Sequence, residues 1–459
     1  MEPSRQTILI VGFAREGESL ARYFASRRYR VIVTDISSLS EAKMRARRIE
    51  GNVEWVLGRH APELVADADR VFVSPGVPED NPVVMAARQA GKALESMTTL
   101  FFQLCPASII GVTGSSGKTT TSGLIGHILG VAGRDVVVGG NIGTPMLDLL
   151  PSIRPETDVV LELSSFQLAL MERSPHIAVV TNISPNHLDR HGTMAEYVQA
   201  KKSIVRYQAS SDYVVLNRSD PESSSFAREA GARQCWFGIG PAIDRGAGMR
   251  GRDIGLWRDG DFTPVMQTGE VPLLGEHNRE NLMAALAVAA LLDVPARAMR
   301  SAVMSFRAPA HRLETVTVRD GIRYVDDSIA TSPARASVAL RAMDAPVILI
   351  AGGRDKNLPW EDFAGMAVRT VRVLLLIGEA APKIENAMRE VLSIASGLLK
   401  PQAIKRCASL ETAVHEARSL AHPGDIVLLA PGCTSYDMFA NFAERGNAFV
   451  RAVERLDAA

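Results

Sequence analysis

The chain is poor in cysteine, in excess charge of either sign and in long apolar runs, and each shortage excludes a class of function. Four cysteines occur in 459 residues, at positions 105, 235, 407 and 433. They are widely scattered and form no Cys-x-x-Cys pair. Neither a disulfide framework nor a cysteine zinc site is expected, and a reducing, cytoplasmic setting suits the chain. Lys plus Arg and Asp plus Glu number 51 each, so no net charge favours nucleic acid or a membrane surface. The longest apolar stretch, Leu282 to Leu292, is Ala-rich and too short to span a bilayer. It reads as a buried core helix. The opening Met-Glu-Pro-Ser-Arg-Gln runs directly into a strand and does not read as a signal peptide. No internal repeat or low-complexity tract stands out. The length suggests about three domains, and an apolar content of 46% is ordinary for globular cores.

What is present centres on residues 109–129. Ile109 to Val112 is an apolar strand. Gly114-Ser115-Ser116-Gly117 is a glycine-punctuated turn, and Lys118-Thr119-Thr120 opens a segment of helical periodicity. Strand, glycine turn, Lys-Thr and helix form the architecture of a phosphate cradle, with backbone N–H groups aimed at the anion. Lys118 would neutralise the β/γ-phosphates and the Thr119 hydroxyl would serve Mg²⁺. Val112 stands where the strict pattern has glycine, so the loop is a shortened version. The competing reading is a glycine turn with a surface lysine.

Before this stretch, Thr7–Val11 is a strand ending at Gly12-Phe13-Ala14-Arg15-Glu16-Gly17. A helix follows from Ser19, then a strand Arg30–Thr34 with Asp35 at its carboxyl end. This β-α-β unit approaches the dinucleotide fingerprint, with Asp35 close to the place of a ribose-binding acid; a purely structural turn is the alternative. Val71–Ser74 and a helix from Asn81-Pro82 extend a small parallel sheet wrapped by helices.

After the phosphate turn, Val159–Leu161 is a strand with Glu162 at its end. An acid there suits a Mg²⁺ ligand, although it could instead cap the next helix. The strand Ala178–Val180 runs into a polar loop carrying His187, Asp189 and His191, the usual place for a site in an open α/β sheet. By composition Lys201 and Lys202 read as solvated surface charges. The Gly-, Arg- and Asp-rich stretch 238–263 reads as an irregular insertion or β-hairpins. Asn278 and Asn281 lie three apart on one face of a helix start, as caps or as readers of a base or ribose. From about residue 308, four strands end in small polar turns, at Asp326-Asp327-Ser328, Gly352-Gly353-Arg354, Gly378-Glu379 and Pro431-Gly432-Cys433. That suggests a ligand-binding edge of a parallel sheet.

Seven segments together resemble one family. They are Thr-Gly-Ser-Ser-Gly-Lys-Thr, Leu-Glu-Leu-Ser-Ser-Phe-Gln-Leu, Asn-Ile-Ser-Pro-Asn-His-Leu-Asp-Arg, Gly-Glu-His-Asn, His-Arg-Leu-Glu, Asp-Asp-Ser-x-Ala-Thr and Ala-Pro-Gly-Cys-x-Ser. In this order they resemble the Mur ligases across essentially the whole chain. The second segment, with the closing Asn-Phe-x-x-Arg-Gly-Asn of Asn441 to Asn447, is similar to the glutamate-adding branch.

The resemblance implies an α/β protein of three domains. These are a Rossmann-like UDP-sugar domain (1–100), a central P-loop ATP domain built on a parallel sheet (101–307), and a Rossmann-like amino-acid domain (308–459). The implied activity is ATP-dependent amide formation through an acyl phosphate, adding D-glutamate to UDP-N-acetylmuramoyl-L-alanine in peptidoglycan precursor synthesis. The same chemistry with L-glutamate, or a nucleotide-binding regulator without ligase activity, are the alternatives. Lys118, Glu162, His187 and Lys201 are implied in catalysis. Thr119, Glu162, His187 and a carbamylated Lys201 would surround two Mg²⁺ ions. Gly114 to Thr120, Asn278, Asn281, Arg312 and Asp327 would hold ATP. Gly12, Arg15, Gly17, Asp35, Asn141 and His187 would hold the UDP substrate, and Thr331, Lys356, Ser435 and Phe442 the amino acid. Ile329 stands where the family usually has lysine in Asp-Ser-Lys-Ala-Thr. A cytoplasmic monomer acting on small molecules is expected.

Overall fold

The computed structural model describes residues 6–37, 49–141, 143–241, 243–394 and 401–457. The chain divides into two compact units, Met1–Glu270 with Glu280–Ser305, and Val271–Arg279 with Phe306–Ala459.

The first unit contains two sheets. One is five-stranded and parallel, in the order Val53–Leu57, Arg30–Asp35, Thr7–Val11, Arg70–Val73, Leu94–Glu95. Ile8 to Val11 and Val31 to Val33 are fully buried, as expected of strands covered by helices on both faces. The helix after the first strand spans Arg15–Ser26 and so begins inside the glycine turn, ahead of the Ser19 start that the apolar period marks. Its first turn, Arg15 and Glu16, is polar, which hides the start from a pattern of apolar residues. A Cβ on Gly17 would lie 1.9 Å from the Gly12 carbonyl oxygen. Only glycine lets the helix pack this tightly against the strand end.

The other sheet has nine strands. Its order is Asp261–Gln267, Asp253–Arg258, Arg245–Arg250, Arg233–Gly238, Tyr213–Asn217, Ile177–Val180, Ile109–Thr113, Asp158–Glu162, Val136–Gly140. The pairs from Arg245–Arg250 onward are parallel, and the two ending at Asp261–Gln267 are antiparallel. Of the two readings of the stretch 238–263, the β-hairpins hold: consecutive antiparallel strands joined by short turns extend the central sheet. The helix Glu276–Leu291 carries the Ala-rich run, and Leu282 to Val288 are fully buried.

The second unit is built on six strands in the order Glu314–Arg319, Ile322–Asp326, Ile426–Leu429, Val347–Gly352, Val371–Ile377, Ala403–Arg406. All neighbours are parallel except the first pair. Along these strands Leu349, Leu374 and Leu428 join one buried cluster, while Ile348, Ile350, Val373, Leu375 and Val427 join another. The two-residue alternation sends apolar side chains to two separate cores, so both faces are covered. The carboxyl ends of the four central strands lie along one edge.

Candidate active site

In the first unit the phosphate turn lies at the carboxyl end of Ile109–Thr113, and the helix Lys118–Val131 leaves it. Gly117 caps that helix at φ 81°, a left-handed conformation costly for other residues. A Cβ there would also stand 2.2 Å from Asn281 Oδ1. The turn is held from outside. The Ser115 amide donates to the Asn182 carbonyl at 2.8 Å, and the Ser116 amide to Asn182 Oδ1 at 3.0 Å. Ser115 Oγ donates to the Ser184 carbonyl and lies 2.9 Å from the Tyr197 hydroxyl. Asn281 Oδ1 accepts from Thr121 at 3.3 Å, which brings it against the turn.

Two lysines converge on this turn. Lys118 Nζ donates to the carbonyls of Gly114 at 2.9 Å and Ser115 at 3.4 Å. Lys201 comes from the helix Met194–Arg206 and donates to the same Gly114 carbonyl at 3.0 Å and to Thr113 Oγ1 at 3.2 Å. Lys201 is 1% exposed, so its reading as a surface charge by composition is overturned. Burial depresses its basicity well below the ordinary lysine range, and Lys118 beside it adds to the depression, while Glu162 opposes it. Lys202, next in sequence, pairs instead with Glu229 at 2.5 Å.

Glu162 ends the strand Asp158–Glu162 and is 2% exposed. Thr119 Oγ1 donates to its Oε2 at 2.7 Å, and Asn141 Nδ2 to its Oε1 at 3.1 Å. This hydroxyl–carboxylate pair beside a phosphate turn is a hard-oxygen donor set, which suits Mg²⁺. His187 has φ 54° and an exposed side chain, and its ring meets Phe166 edge-on at 5.4 Å. His191 stacks on the same Phe166 at 4.7 Å and bonds Ser165 Oγ at 2.9 Å.

The glycine turn of the first sheet is braced by Asp35, whose Oδ2 accepts from the Phe13 amide at 2.5 Å while Oδ1 accepts from Ser37 at 2.6 Å. Burial pushes its carboxyl up, but the bonds from Ser37 and Phe13 outweigh burial and leave it more acidic than usual. Arg15 is exposed at the head of the helix. Glu16, beside it, accepts from Gln167 Nε2 at 2.9 Å. Burial lifts its carboxyl to about 7 against the opposing pull of that bond and of Arg15. Ser74, Pro75, Val77, Phe166, Arg190 and His191 line a cavity of about 80 Å³ in this unit.

The second unit carries the remaining candidates. Asn278 Nδ2 donates to the Leu274 carbonyl at 2.7 Å. Asp327 is buried, and its Oδ1 accepts from the Leu313 amide at 3.1 Å. Burial lifts its carboxyl to about 7; the Leu313 bond opposes, Asp326 adds to the rise, and Arg312 and Arg335 reduce it. Thr331 is half-buried, Ser435 is buried, and Lys356 and Phe442 are exposed.

Sequence reading did not single out Asn182, Tyr197 or Arg445 for a role at a site. Asn182 and Tyr197 hold the phosphate turn from the neighbouring strand end and helix. Asn182 opens the Asn-Ile-Ser-Pro-Asn-His-Leu-Asp-Arg segment, and Tyr197 lies four residues before Lys201. Arg445 lay inside the closing motif and reads as one more surface cation until its burial is known.

A parallel-sheet scaffold with a phosphate turn, a buried lysine behind it and an acid–hydroxyl pair beside it defines the class. Three family descriptions match. They are the Mur ligase MurD-like N-terminal domain over 6–95, the Mur ligase middle domain over 112–289 and the Mur ligase glutamate ligase domain over 311–433. The chain belongs to the Mur ligase family. It is 45% identical over 456 residues to the UDP-N-acetylmuramoylalanine--D-glutamate ligase of Symbiobacterium thermophilum, covering 97% of each chain. It is 40% identical over 467 residues to the enzyme of that name from Roseiflexus sp., covering 98% of each. In fold it is similar to UDP-N-acetylmuramate-alanine ligase MurC from Thermotoga maritima, with a TM-score of 0.60, 18% identity, and 99% and 100% coverage.

Proposed function

We propose that the chain is an ATP-dependent ligase that joins D-glutamate to UDP-N-acetylmuramoyl-L-alanine in peptidoglycan precursor synthesis. Its near-full-length relatives at 40–45% identity carry that name. The observation on this chain that carries the reading is the convergence of Lys118 and Lys201 on the Gly114 carbonyl beside the Thr119–Glu162 pair. The substrate carboxylate and the γ-phosphate are both anions, so cations must gather where they meet.

In the reaction a carboxylate oxygen attacks the γ-phosphorus as the bond to ADP breaks, giving an acyl phosphate. The amino acid's amine then adds to the acyl carbon, and phosphate leaves through a tetrahedral intermediate. Lys118, now resting on turn carbonyls, is the cation the γ-phosphate would draw. Mg²⁺, held by Thr119 and Glu162, with His187 near a second ion, would offset phosphate charge when bound. Lys201 is driven towards its neutral amine, the form that adds CO₂ and releases a proton to become a carbamate. Carbamylation would turn a buried cation into an anion able to approach a metal ion.

On this reading residues 1–100 hold the UDP-sugar, with Gly12, Gly17, Arg15 and Asp35 at the uridine and diphosphate, and Asn141 and His187 also contact the UDP-muramoyl substrate. Residues 101–307 hold ATP through Gly114 to Thr120, Asn278 and Asn281, and we assign Arg312 and Asp327 to the same nucleotide. Residues 308–459 hold the amino acid through Thr331, Lys356, Ser435 and Phe442. Among the described residues no helix is long and apolar enough to cross a membrane. A cytoplasmic monomer is the form we infer.

The test is phosphate release from ATP with UDP-N-acetylmuramoyl-L-alanine, comparing D- with L-glutamate. Release with D-glutamate alone is expected. Preference for L-glutamate would move the chain to the alternative amino acid, and silence with both would overturn the reading.

A further inference from the structure

Arg445 is 0% exposed in the helix Phe442–Glu454. Among the described residues its guanidinium makes no ion pair. Asp326 and Asp437 are the carboxylates near enough to act on it. Its bonds go to uncharged groups on two turns. Nε donates to Ser328 Oγ at 3.0 Å, Nη2 to the carbonyls of Ser328 at 2.8 Å and Cys433 at 3.1 Å, and Nη1 to the Thr434 carbonyl at 3.2 Å. Ser328 Oγ in turn donates to the Phe442 carbonyl at 2.8 Å. The Thr434 carbonyl also accepts from the Arg354 amide at 2.9 Å, which ties in the turn after Val347–Gly352. One guanidinium therefore fastens together the segments that bear Thr331, Ser435, Phe442 and Lys356.

A planar group with a rigid fork of donors suits this task, and a lysine ammonium does not reproduce it. In a trans peptide the carbonyl and the following N–H point in opposite directions. Drawing the Thr434 carbonyl onto Arg445 therefore turns the Ser435 amide away from the guanidinium. That amide has no acceptor among the described residues, and neither does the Ser435 hydroxyl. The two donors sit on one buried residue, a set that suits an acceptor-only carboxylate.

We propose that Arg445 is a positioning residue for the amino-acid substrate, setting the Thr434–Ser435 peptide so that the Ser435 amide and hydroxyl together receive a carboxylate. The proposal rests on the assignment of this unit to the amino acid.

The experiment compares the wild-type protein with Arg445→Lys and Ser328→Ala. It measures kcat and the KM of the amino acid, ATP and the UDP substrate, together with thermal unfolding. The expected result for Arg445→Lys is a rise of about tenfold to a hundredfold in the amino-acid KM, with the other two KM values within about twofold. Ser328→Ala, which removes one acceptor from Arg445 and one donor to Phe442, shifts the same constant by less and keeps cooperative unfolding. If Arg445→Lys fails to fold, Ser328→Ala decides. An unchanged amino-acid KM in a folded variant, or an equal rise in all three constants, overturns the proposal. A wild-type protein silent with both glutamate enantiomers overturns the functional assignment itself and removes the proposal with it.

Discussion

Among the described residues each unit buries one long cation, and the two are buried differently. Lys201 lies under the phosphate turn with a second cation, Lys118, on the same carbonyl. Arg445 lies among three carbonyls and the Ser328 hydroxyl, with Asp326 and Asp437 at a distance. Burial lowers the basicity of both, to about 10 for Arg445, which stays charged at neutral pH. Lysine starts lower and has a like charge as neighbour, so its neutral amine comes within reach. Burial of a lysine thus favours its neutral amine, whereas burial of an arginine leaves a charged brace.

The largest effects should come from breaking the lysine side of this contrast. Lys201→Arg installs a permanent charge that cannot become a carbamate, and turnover should fall by about a thousandfold; wild-type phosphate release would rule out a role for the amine. Lys118→Ala should lose turnover on about the same scale while UDP-substrate binding, followed by calorimetry, is retained. Stability should separate the two sites in the opposite sense. Arg445→Met strands several buried carbonyls and should cost about 3 kcal/mol. Lys201→Met removes a poorly solvated amine and should stay within about 1 kcal/mol of wild type. Denaturant midpoints measure both.

A half-buried acid, Glu16, whose Oε2 is enclosed, provides a finer contrast. Glu16 titrates near 7 in the folded chain against an ordinary 4.5, chiefly because it is buried. A raised carboxyl favours the folded state while it is protonated. That contribution is complete below pH 4.5 and is lost as pH rises through 7. Glu16→Gln should therefore match wild type near pH 4.5 and exceed it by about 2 kcal/mol at pH 8, measured by urea unfolding at both values. A constant difference across pH would place the titration elsewhere. The smallest expected effect is from Ile329→Lys, a several-fold shift in amino-acid preference; no shift would mean that preference is set by other residues.

The sequence by itself determined the α/β class and the order of its elements. Uninterrupted apolar strands such as Thr7–Val11 and Val347–Gly352, each closed by glycine or small polar residues, are local signals that burial on both faces produces. It also marked the phosphate turn, because glycine, Lys118 and Thr119 act within one strand–turn–helix unit. Val53–Leu57, Glu314–Arg319 and Ala403–Arg406 were not legible as strands. They lie at sheet edges, where half-exposed residues interrupt the apolar run. Only the tertiary structure decided which cations are buried. Lys201 and Lys202 are adjacent and chemically alike in sequence, yet a helix turns successive residues by about 100°. One points under the phosphate turn and the other pairs with Glu229. Arg445 likewise becomes a brace only because the ends of three separate strands meet around it, and contacts that distant in the chain leave no local pattern to read.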